Sequence, residues 1–378
     1  MRLMEDTREN ALREEFRAFF AEHCPPEYAD ECDASGRFPE ELHRAAGQAG
    51  LLGACLPAEY GGRGEDATAL AILFSEAGRA FPDFANLIVR QQLCSTVLER
   101  FGSPEQRAEL LPRFARGDIH MAFGASEREA GSDVTALATT ARRDGDGYVI
   151  DGEKLYATGA DVADAVLVLA REPGSSGRDG ILALIVWAGN PGMRAERLDT
   201  LGVRATGTAA VTLTGARVPA SARVGGDGEG WRLLRSGLDM ERLATAAIAT
   251  GGARFLLEHA VGHLRERRQF GRPLSDLQAV RHRLADLAMR IDAAELATMA
   301  VADGLATGAP VHLDASVAKL AATETYMEAA HQAVQFEGGH GYTKDRVVQR
   351  HFRDAKMYEI GGGASDVQRD IIARGLGL

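Results

Sequence analysis

The stretch DGYVIDGEKLYA, residues 146–157, decides the fold class because it interrupts a chain that otherwise shows helical spacing. Three similar stretches follow it: ADAVLVLA (163–170), DGILALIVWA (179–188) and TAAVTLTGARVP (208–219). They are rich in Val, Ile, Leu and Thr and are separated by Gly, Asp and Pro, which is typical of β-strands joined by turns. The middle of the chain is therefore predicted to be a β-domain that ends near Gly228.

Helical spacing dominates on both sides of this β-domain. Before it, segments such as ENALREEFRAFFAEH (9–23) repeat apolar residues at helical intervals, and after it apolar stripes run through 230–267, 275–307 and 313–336. We therefore predict an α+β fold with an N-terminal helical domain (1–118), a middle β-domain (119–228) and a C-terminal helical domain (229–378). This order argues against a doubly wound nucleotide-binding fold, and no GxGxxG opens a βαβ unit.

Composition narrows the class of protein. Lys and Arg number 43 against 54 Asp and Glu, so the formal net charge is −11, which argues against nucleic acid and anionic membranes as partners. The first residues are charged and polar, and no apolar run of about 18 residues follows, so neither a signal peptide nor a membrane span is expected. The four cysteines, Cys24, Cys32, Cys55 and Cys94, have no metal-type spacing and favour a reducing cytoplasm.

One carboxylate stands where an apolar residue is expected. In SGLDMERLATAA (236–247), Glu241 shares a helical stripe with Leu234, Leu238, Thr245 and Ile248. A helical Glu usually faces solvent and pairs with a Lys or Arg three or four positions away, but those positions hold Gly, Leu, Ala and Thr. From the residues alone, a solvated Glu, a tertiary salt bridge and a functional carboxylate all remain open.

Three other motifs are ambiguous by themselves. ASEREAGSDV (125–134) could hold polar atoms of a cofactor or form a capped turn. The Gly pair of QFEGGHGY (335–342) could bring the backbone close to a phosphate or ribose, or simply end a helix. Two ExxH strings, Glu40–His43 and Glu328–His331, resemble di-iron ligands, but they fall in different helical domains. No metal centre is predicted, and both histidines are expected on polar faces.

Eight strings together resemble the acyl-CoA dehydrogenase family of flavoproteins in their order and spacing. They are AGLLGACLPAEYGG (49–62), ASEREAGSDV (125–134), DGEKLYATGADVADAVLV (151–168), LGVRATGT (201–208), LDMERL (238–243), RERRQFGRPL (265–274), QFEGGHGY (335–342) and RDAKMYEIGGGASDVQR (353–369). The resemblance covers nearly the whole chain, and it implies that the C-terminal domain is a four-helix bundle.

The resemblance implies FAD, an acyl thioester substrate on CoA or a carrier protein, and α,β-dehydrogenation. In the family a carboxylate removes the α-proton while the β-hydrogen leaves as hydride to flavin N5. Because a thioester α-proton is weakly acidic, the enolate oxygen must receive hydrogen bonds and the base must be close and desolvated. A short or branched acyl group is expected.

The usual base of the family is absent from this chain. Most members carry a Glu just before Gly-Thr in the C-terminal motif, and this position is Gly362 here. A minority arrangement, similar to isovaleryl-CoA dehydrogenase, takes the base from the LDxERL helix, where Glu241 matches. The resemblance therefore implies Glu241 as the base, with the backbone N–H near Gly362 as a donor to the enolate oxygen.

The resemblance also implies binding roles for further residues. Those in segments that contact FAD within one subunit are Ser126, Ser132, Tyr156 and Thr158, and Tyr156 replaces an aromatic residue that commonly covers the flavin ring. Those that resemble contacts from a neighbouring subunit or to the adenosine diphosphate are Arg267, Gln269, Phe270, Gln335, Gly338 and Gly339. Asp239 and Arg242 resemble residues near the pantetheine arm. A homo-oligomer, commonly a homotetramer, is implied, with an electron acceptor such as an electron-transfer flavoprotein.

Some positions depart from the family pattern. Arg128-Glu129 replaces the usual Pro-Gly near the expected substrate entrance, which makes a carrier-protein substrate a serious alternative to CoA. Ala364 and Asp366 replace a usual Thr and Gln. Two other functions stay open: a flavin-dependent monooxygenase on the same fold, which would need no α-proton base, and a degenerate paralogue without catalysis.

Overall fold

The computed structural model describes residues 6–378, so residues 1–5 of the predicted N-terminal domain lie outside the described residues. The first part is helical. Its helices are α1 (Thr7–His23), α2 (Pro26–Ser35), α3 (Glu40–Gln48), α4 (Ala67–Ala80), α5 (Pro82–Phe101) and α6 (Pro104–Arg116). Local sequence sets several of these ends, because Asp6 and Ser103 form capping boxes with Glu9 and Gln106, and Gly117 ends α6 in a left-handed conformation.

The middle part is a β-sheet. Its strands are β1 (Met121–Gly124), β2 (Thr140–Asp144), β3 (Gly147–Thr158), β4 (Ala165–Arg171), β5 (Ile181–Trp187), β6 (Met193–Arg197), β7 (Thr208–Pro219) and β8 (Arg223–Val224). They pair in the order β6-β7-β3-β2-β4-β5-β8, and β1 adds to β4 in parallel. The four predicted strands correspond to β3, β4, β5 and β7. The shorter strands, which carry a weaker apolar signal, were not predicted.

The last part is helical again, apart from a short hairpin. Its elements are α7 (Gly230–Glu266), β9 (Arg268–Gln269), β10 (Arg272–Pro273), α8 (Gln278–Ala306), α9 (His312–Glu337), α10 (Val347–Ile360) and α11 (Ser365–Gly375). The three predicted apolar stripes correspond to α7, α8 and α9. The predicted α+β fold class is confirmed.

Small residues let helices from the two ends of the chain share one core. A Cβ added to Gly251 in α7 would lie 1.9 Å from the Ser75 carbonyl oxygen in α4, and one on Gly78 would lie 2.4 Å from the Ile248 carbonyl oxygen. Any larger side chain would force these helices apart. Apolar side chains of these helices fill the core between them, and α5 continues from this core to the edge of the β-sheet.

His43 corrects one expectation, because it is buried and does not lie on a polar face. Its ring packs near those of Phe38 and His120, and its Nε2 lies 3.5 Å from the Gln91 amide nitrogen. His331 is exposed, as expected. Among residues 6–378, no cluster of His, Cys, Asp or Glu side chains is arranged to hold a metal ion.

Candidate active site

Glu241 and Gly362, which lie in separate motifs, are neighbours in the structure. Glu241 lies in α7, and Gly362 lies in the loop Gly361–Ala364 between α10 and α11. A Cβ added to Gly362 would lie 3.7 Å from Glu241 Cγ and 3.9 Å from Cδ. The Glu241 carboxylate therefore occupies space next to the position where a side chain from residue 362 would start. Gly362 has φ +65°, a conformation that favours glycine.

Glu241 has a tertiary ion-pair partner. The Arg90 guanidinium, from α5, donates a hydrogen bond to Glu241 Oε1 at 2.7 Å. Both side chains are largely buried, with 16% and 11% of their surface exposed, so the pair lies in a poorly solvated pocket. The tertiary salt bridge, which the sequence left open, is the observed arrangement, and a fully solvated Glu241 is not.

A buried lysine fixes the glycine loop beside this pair. Lys319, in α9, donates hydrogen bonds to the carbonyl oxygens of Glu359 and Gly363, at 3.3 and 3.0 Å. Burial lowers the pKa of Lys319 to about 8, although the Glu241 carboxylate opposes the shift. The Gln368 amide donates to the same loop, at 2.9 Å from the Gly363 oxygen. Within residues 6–378 no hydrogen bond uses the Gly362 N–H, which is thus available to a ligand.

On either side of Glu241 in the sequence, Asp239 and Arg242 form a second polar cluster. Arg242 Nη1 lies 2.9 Å from Asp239 Oδ1, and His312 Nδ1 lies 2.9 Å from the same oxygen. Arg242 is buried, and burial lowers its pKa below the usual value. His312 is half-exposed, so this cluster reaches the surface there, whereas the Arg242 guanidinium is buried and paired with Asp239.

Three of the predicted flavin contacts, Ser126, Tyr156 and Thr158, lie at one edge of the sheet, where β3 ends. A buried ion pair builds this edge: Lys154 Nζ lies 2.6 Å from Glu127 Oε1, and Glu127 also accepts from the Ala138 and Thr139 N–H groups. An irregularity in the β3–β7 pairing follows Lys154, and Tyr156 there has φ +61° with 65% of its surface exposed. Such a strained, exposed aromatic residue is typical of a ligand contact.

Thr158 and Ser126 lie at the same end of β3 as Tyr156. Thr158 Oγ1 accepts a hydrogen bond from the Asn86 amide of α5 at 3.4 Å, and the Ser126 carbonyl oxygen accepts one from the Leu155 N–H at 2.9 Å. Ser132 is exposed in the loop after Ser126. The loop, the strand end and α5 therefore meet here.

A separate cleft brings Arg267 to the Gly pair. The cavity has a volume of 520 Å³ and is lined by Arg267, Leu274, Phe336, Glu337, Gly338, Gly339 and His340. Gly338 has φ +63°, and a Cβ added to it or to Gly339 would meet no atom within 4 Å. Gly338 ends α9 with its N–H donating to the Val334 and Gln335 carbonyl oxygens, and neither glycine has a side chain that would cover the cleft.

The residues present fit FAD. The cleft offers the Arg267 guanidinium beside two glycines without side chains, which suits phosphate, and the strand end at Tyr156 offers an aromatic face and hydroxyl groups. No hydrogen bond joins the two regions within residues 6–378. Gln269 and Gln335 are exposed. Phe270 is 91% exposed and has φ +52°. Within a single chain these three side chains therefore project into solvent and line neither of the two regions.

Sequence reasoning missed Arg90, Lys319 and His312. Arg90 is separated from Glu241 by 151 positions and lies in no recognised motif. A buried lysine within the apolar stripe of α9 was the one available signal for Lys319. Within residues 6–378, none of the helices contains an apolar segment of the length that a membrane span requires.

A desolvated glutamate beside a glycine loop, together with a cleft suited to a phosphate-bearing cofactor, is the arrangement of a cofactor-dependent enzyme. Family models identify which one: residues 6–118, 122–216 and 228–377 match the N-terminal, middle and C-terminal domains of acyl-CoA dehydrogenase. The chain belongs to the acyl-CoA dehydrogenase family.

Two curated relatives are similar over nearly the full length. The chain is 37% identical to the probable acyl-CoA dehydrogenase YngJ of Bacillus subtilis (98% of each chain). It is 34% identical to the mitochondrial isovaleryl-CoA dehydrogenase of Oryza sativa subsp. japonica (99% of this chain, 92% of the relative).

Solved structures agree with these matches. A glutaryl-CoA dehydrogenase from Mycobacterium smegmatis in complex with FADH2 superposes with TM-score 0.93 at 27% identity (98% and 95% of the two chains). The prolyl acyl carrier protein oxidase AnaB superposes with TM-score 0.94 at 27% identity (99% and 100%). The predicted family, FAD cofactor and acyl-thioester dehydrogenation are confirmed.

Proposed function

We propose that Glu241 is the base that removes the α-proton of a short or branched acyl thioester. The proposal is carried by the contact of two motifs: the usual site of the base is glycine, and Glu241 Cγ lies 3.7 Å from the position of a Cβ on Gly362. A carboxylate from α7 is thus next to the place from which most relatives would extend theirs. Only 11% of the Glu241 side chain is exposed, so the carboxylate lies in a pocket from which a bound substrate would exclude water.

The Gly362 N–H is proposed to donate a hydrogen bond to the thioester carbonyl oxygen as negative charge develops there. Lys319 and Gln368 support this role because they hold neighbouring carbonyl groups and so fix the loop. A donor fixed before the reaction needs no reorganisation in the transition state. Bound FAD supplies the acceptor for the β-hydrogen.

Asp239 and Arg242 are proposed to contact the pantetheine arm, with His312 as a third member that sequence reasoning missed. The arm is common to CoA and carrier proteins, so this cluster does not select between them. Arg128 and Glu129 are both exposed on the entrance loop and differ from the family pattern, which keeps a carrier-bound thioester as a candidate substrate.

Ser126, Ser132, Tyr156 and Thr158 are proposed to contact the flavin half of FAD, and Arg267, Gln269, Phe270, Gln335, Gly338 and Gly339 the adenosine diphosphate half. The exposure of Phe270, at 91%, supports contribution across a subunit interface. We accordingly propose a homotetramer with an electron-transfer flavoprotein as electron acceptor, in the cytoplasm. The proposed bounds of the N-terminal, middle and C-terminal domains are 1–118, 119–228 and 229–378.

Anaerobic flavin bleaching tests the base. Purified Glu241→Gln is mixed with butyryl-CoA, isovaleryl-CoA and a carrier-bound butyryl thioester, and the flavin absorbance is followed. Binding should persist as a spectral shift, while bleaching slows by about 10²- to 10⁴-fold, the usual range for general base catalysis. Glu258→Gln is the matched control, because Glu258 lies in the same helix but is half-exposed and pairs with Arg79. Normal bleaching by Glu241→Gln would mean that another group is the base.

A further inference from the structure

Arg90 is the ion-pair partner of the proposed base, and its environment is specialised. It lies in α5 one turn before Leu93, whose Cδ1 would lie 2.4 Å from a Cβ on Gly237 in α7. Gly237 is in turn one helical turn before Glu241. The absence of a side chain at Gly237 therefore lets α5 approach α7 closely enough for Arg90 to reach the carboxylate.

The hydrogen bonds of Glu241 distinguish its two carboxylate oxygens. Oε1 accepts from Arg90 Nη1 at 2.7 Å. Within residues 6–378 no group donates to Oε2. The backbone oxygen of Glu241 is occupied separately, by the Thr245 hydroxyl at 2.8 Å. One oxygen is thus held, and the other is free to take a proton.

We infer that Arg90 is a positioning residue for the reaction: it holds Glu241 Oε1 so that Oε2 faces the α-carbon of the substrate. This inference rests on the proposed role of Glu241 as base. During the step the α-carbon's C–H bond breaks, the proton bonds to Oε2, and the electron pair of the broken bond stays with the substrate. It forms the double bond as the β-hydrogen leaves with its own pair to the FAD that the enzyme's activity requires.

The other cationic groups near Glu241 are already engaged. Lys319, from α9, donates to the carbonyl oxygens of Glu359 and Gly363, and Arg242, from α7, pairs with Asp239 and contacts His312. In the described part of the chain, neither forms a hydrogen bond with Glu241. Arg90 is accordingly the residue whose loss frees the carboxylate to rotate, whereas Lys319 and Arg242 hold the loop and the outer cluster.

The Arg90 guanidinium also has an unsatisfied hydrogen-bond donor. Its Nε is buried and has no hydrogen-bond partner within residues 6–378, which is costly for a guanidinium. A residue that only stabilised the fold would be expected to satisfy more of its donors. Within residues 6–378, the hydrogen bond from Nη1 to Glu241 Oε1 is instead the one polar contact of this guanidinium, so its hydrogen bonding serves the carboxylate alone.

The test separates positioning from stability and from substrate binding. Arg90→Gln, Arg90→Lys and the matched control Arg100→Gln are prepared as FAD-loaded enzymes; Arg100 lies in the same helix but is exposed and donates to the Ser236 carbonyl. Stopped-flow anaerobic bleaching against butyryl-CoA concentration yields the limiting rate and the dissociation constant. A misplaced catalytic group costs about 10²-fold, so Arg90→Gln should lower the limiting rate by about 10- to 100-fold and leave the dissociation constant unchanged.

Two further results would support the positioning role. Arg90→Lys should recover part of the rate, because an ammonium group keeps the charge but not the planar geometry. Guanidinium ion added to a folded Arg90→Ala variant should accelerate bleaching and should have no such effect on Arg100→Gln.

Bleaching at the wild-type rate by folded Arg90→Gln would overturn the inference. A rise in the dissociation constant alone would overturn it equally, since Arg90 would then bind the acyl group. If Arg90→Gln does not fold, a wild-type limiting rate in Arg90→Lys, together with no effect of guanidinium on Arg90→Ala, would also overturn it. Failure of the base assignment is separate: Glu241→Gln would then bleach normally, whatever the Arg90 variants do.

Discussion

Moving the carboxylate from α7 to the glycine loop tests the relation between Glu241 and Gly362. In Glu241→Gln/Gly362→Glu the new side chain starts 3.7 Å from Cγ and 3.9 Å from Cδ of residue 241. The glutamine no longer carries charge, so the new carboxylate meets no second anion at residue 241 and can approach the same pocket. We expect the double variant to bleach flavin faster than Glu241→Gln alone.

The size of the recovery follows from the backbone at residue 362. Its φ of +65° is left-handed, and a non-glycine residue there costs about 1–2 kcal/mol. Thr245 Oγ1, 3.3 Å from the new Cβ, adds crowding. The strain lowers the free energy of unfolding, and the crowding displaces the new carboxylate. Because a misplacement of about 1 Å costs about 10²-fold in rate, the double variant should stay about 10- to 100-fold below wild type. Glu241→Gln alone lies about 10²- to 10⁴-fold below it.

Single-turnover bleaching with butyryl-CoA measures this recovery, after FAD content and thioester binding have been matched to wild type. Glu241→Gln/Gly363→Glu is the control. Gly363 is also left-handed, at φ +91°, but a Cβ there would meet the Gln368 amide at 2.6 Å and does not face residue 241. Recovery in the control, or none in the Gly362 variant despite normal binding, would refute the shared pocket.

Three other predictions concern cofactor, pH and stability. Arg267→Ala should lose FAD on dialysis, measured as flavin per protein, while exposed Arg265→Ala keeps it; full retention by Arg267→Ala would contradict the cleft assignment. Burial and the nearby Asp83 and Asp33 raise the pKa of Asp354 to about 7 from 3.8, so the folded state binds this proton more tightly than the unfolded chain. This contribution to the free energy of unfolding is fully present below about pH 4 and is lost as the pH rises through 7. In urea titrations the free energy of unfolding of wild type should therefore fall between pH 4 and 7, and that of Asp354→Asn should fall less. Lys154→Met leaves the buried Glu127 without its ion-pair partner and should lower the free energy of unfolding by about 3–5 kcal/mol. The double variant Glu127→Gln/Lys154→Met should recover part of this loss.

The sequence alone determined the class of fold and the identity of the family. Strand and helix periodicities are local, so β3, β4, β5, β7 and the long helices α7, α8 and α9 were predictable from runs of neighbouring residues. Motif order carried the family resemblance, and two substitutions within motifs, Gly362 and Glu241, pointed to one pocket. Short strands such as β8, of two residues, carry too little periodic signal to predict.

Only the tertiary structure decided which charged side chains meet in the pocket. Arg90 reaches Glu241 across 151 positions, and Lys319 reaches Gly363 across 44, in each case because helices pack side by side. His312 joins Asp239 for the same reason, since α7 and α9 lie in contact. Charge partners between distant segments depend on helix packing and on which side chain is small enough to allow close approach, as at Gly237. Spacing along the chain carries no information on these distances, so the arginine of the tertiary salt bridge that the sequence left open for Glu241 is identified by the structure.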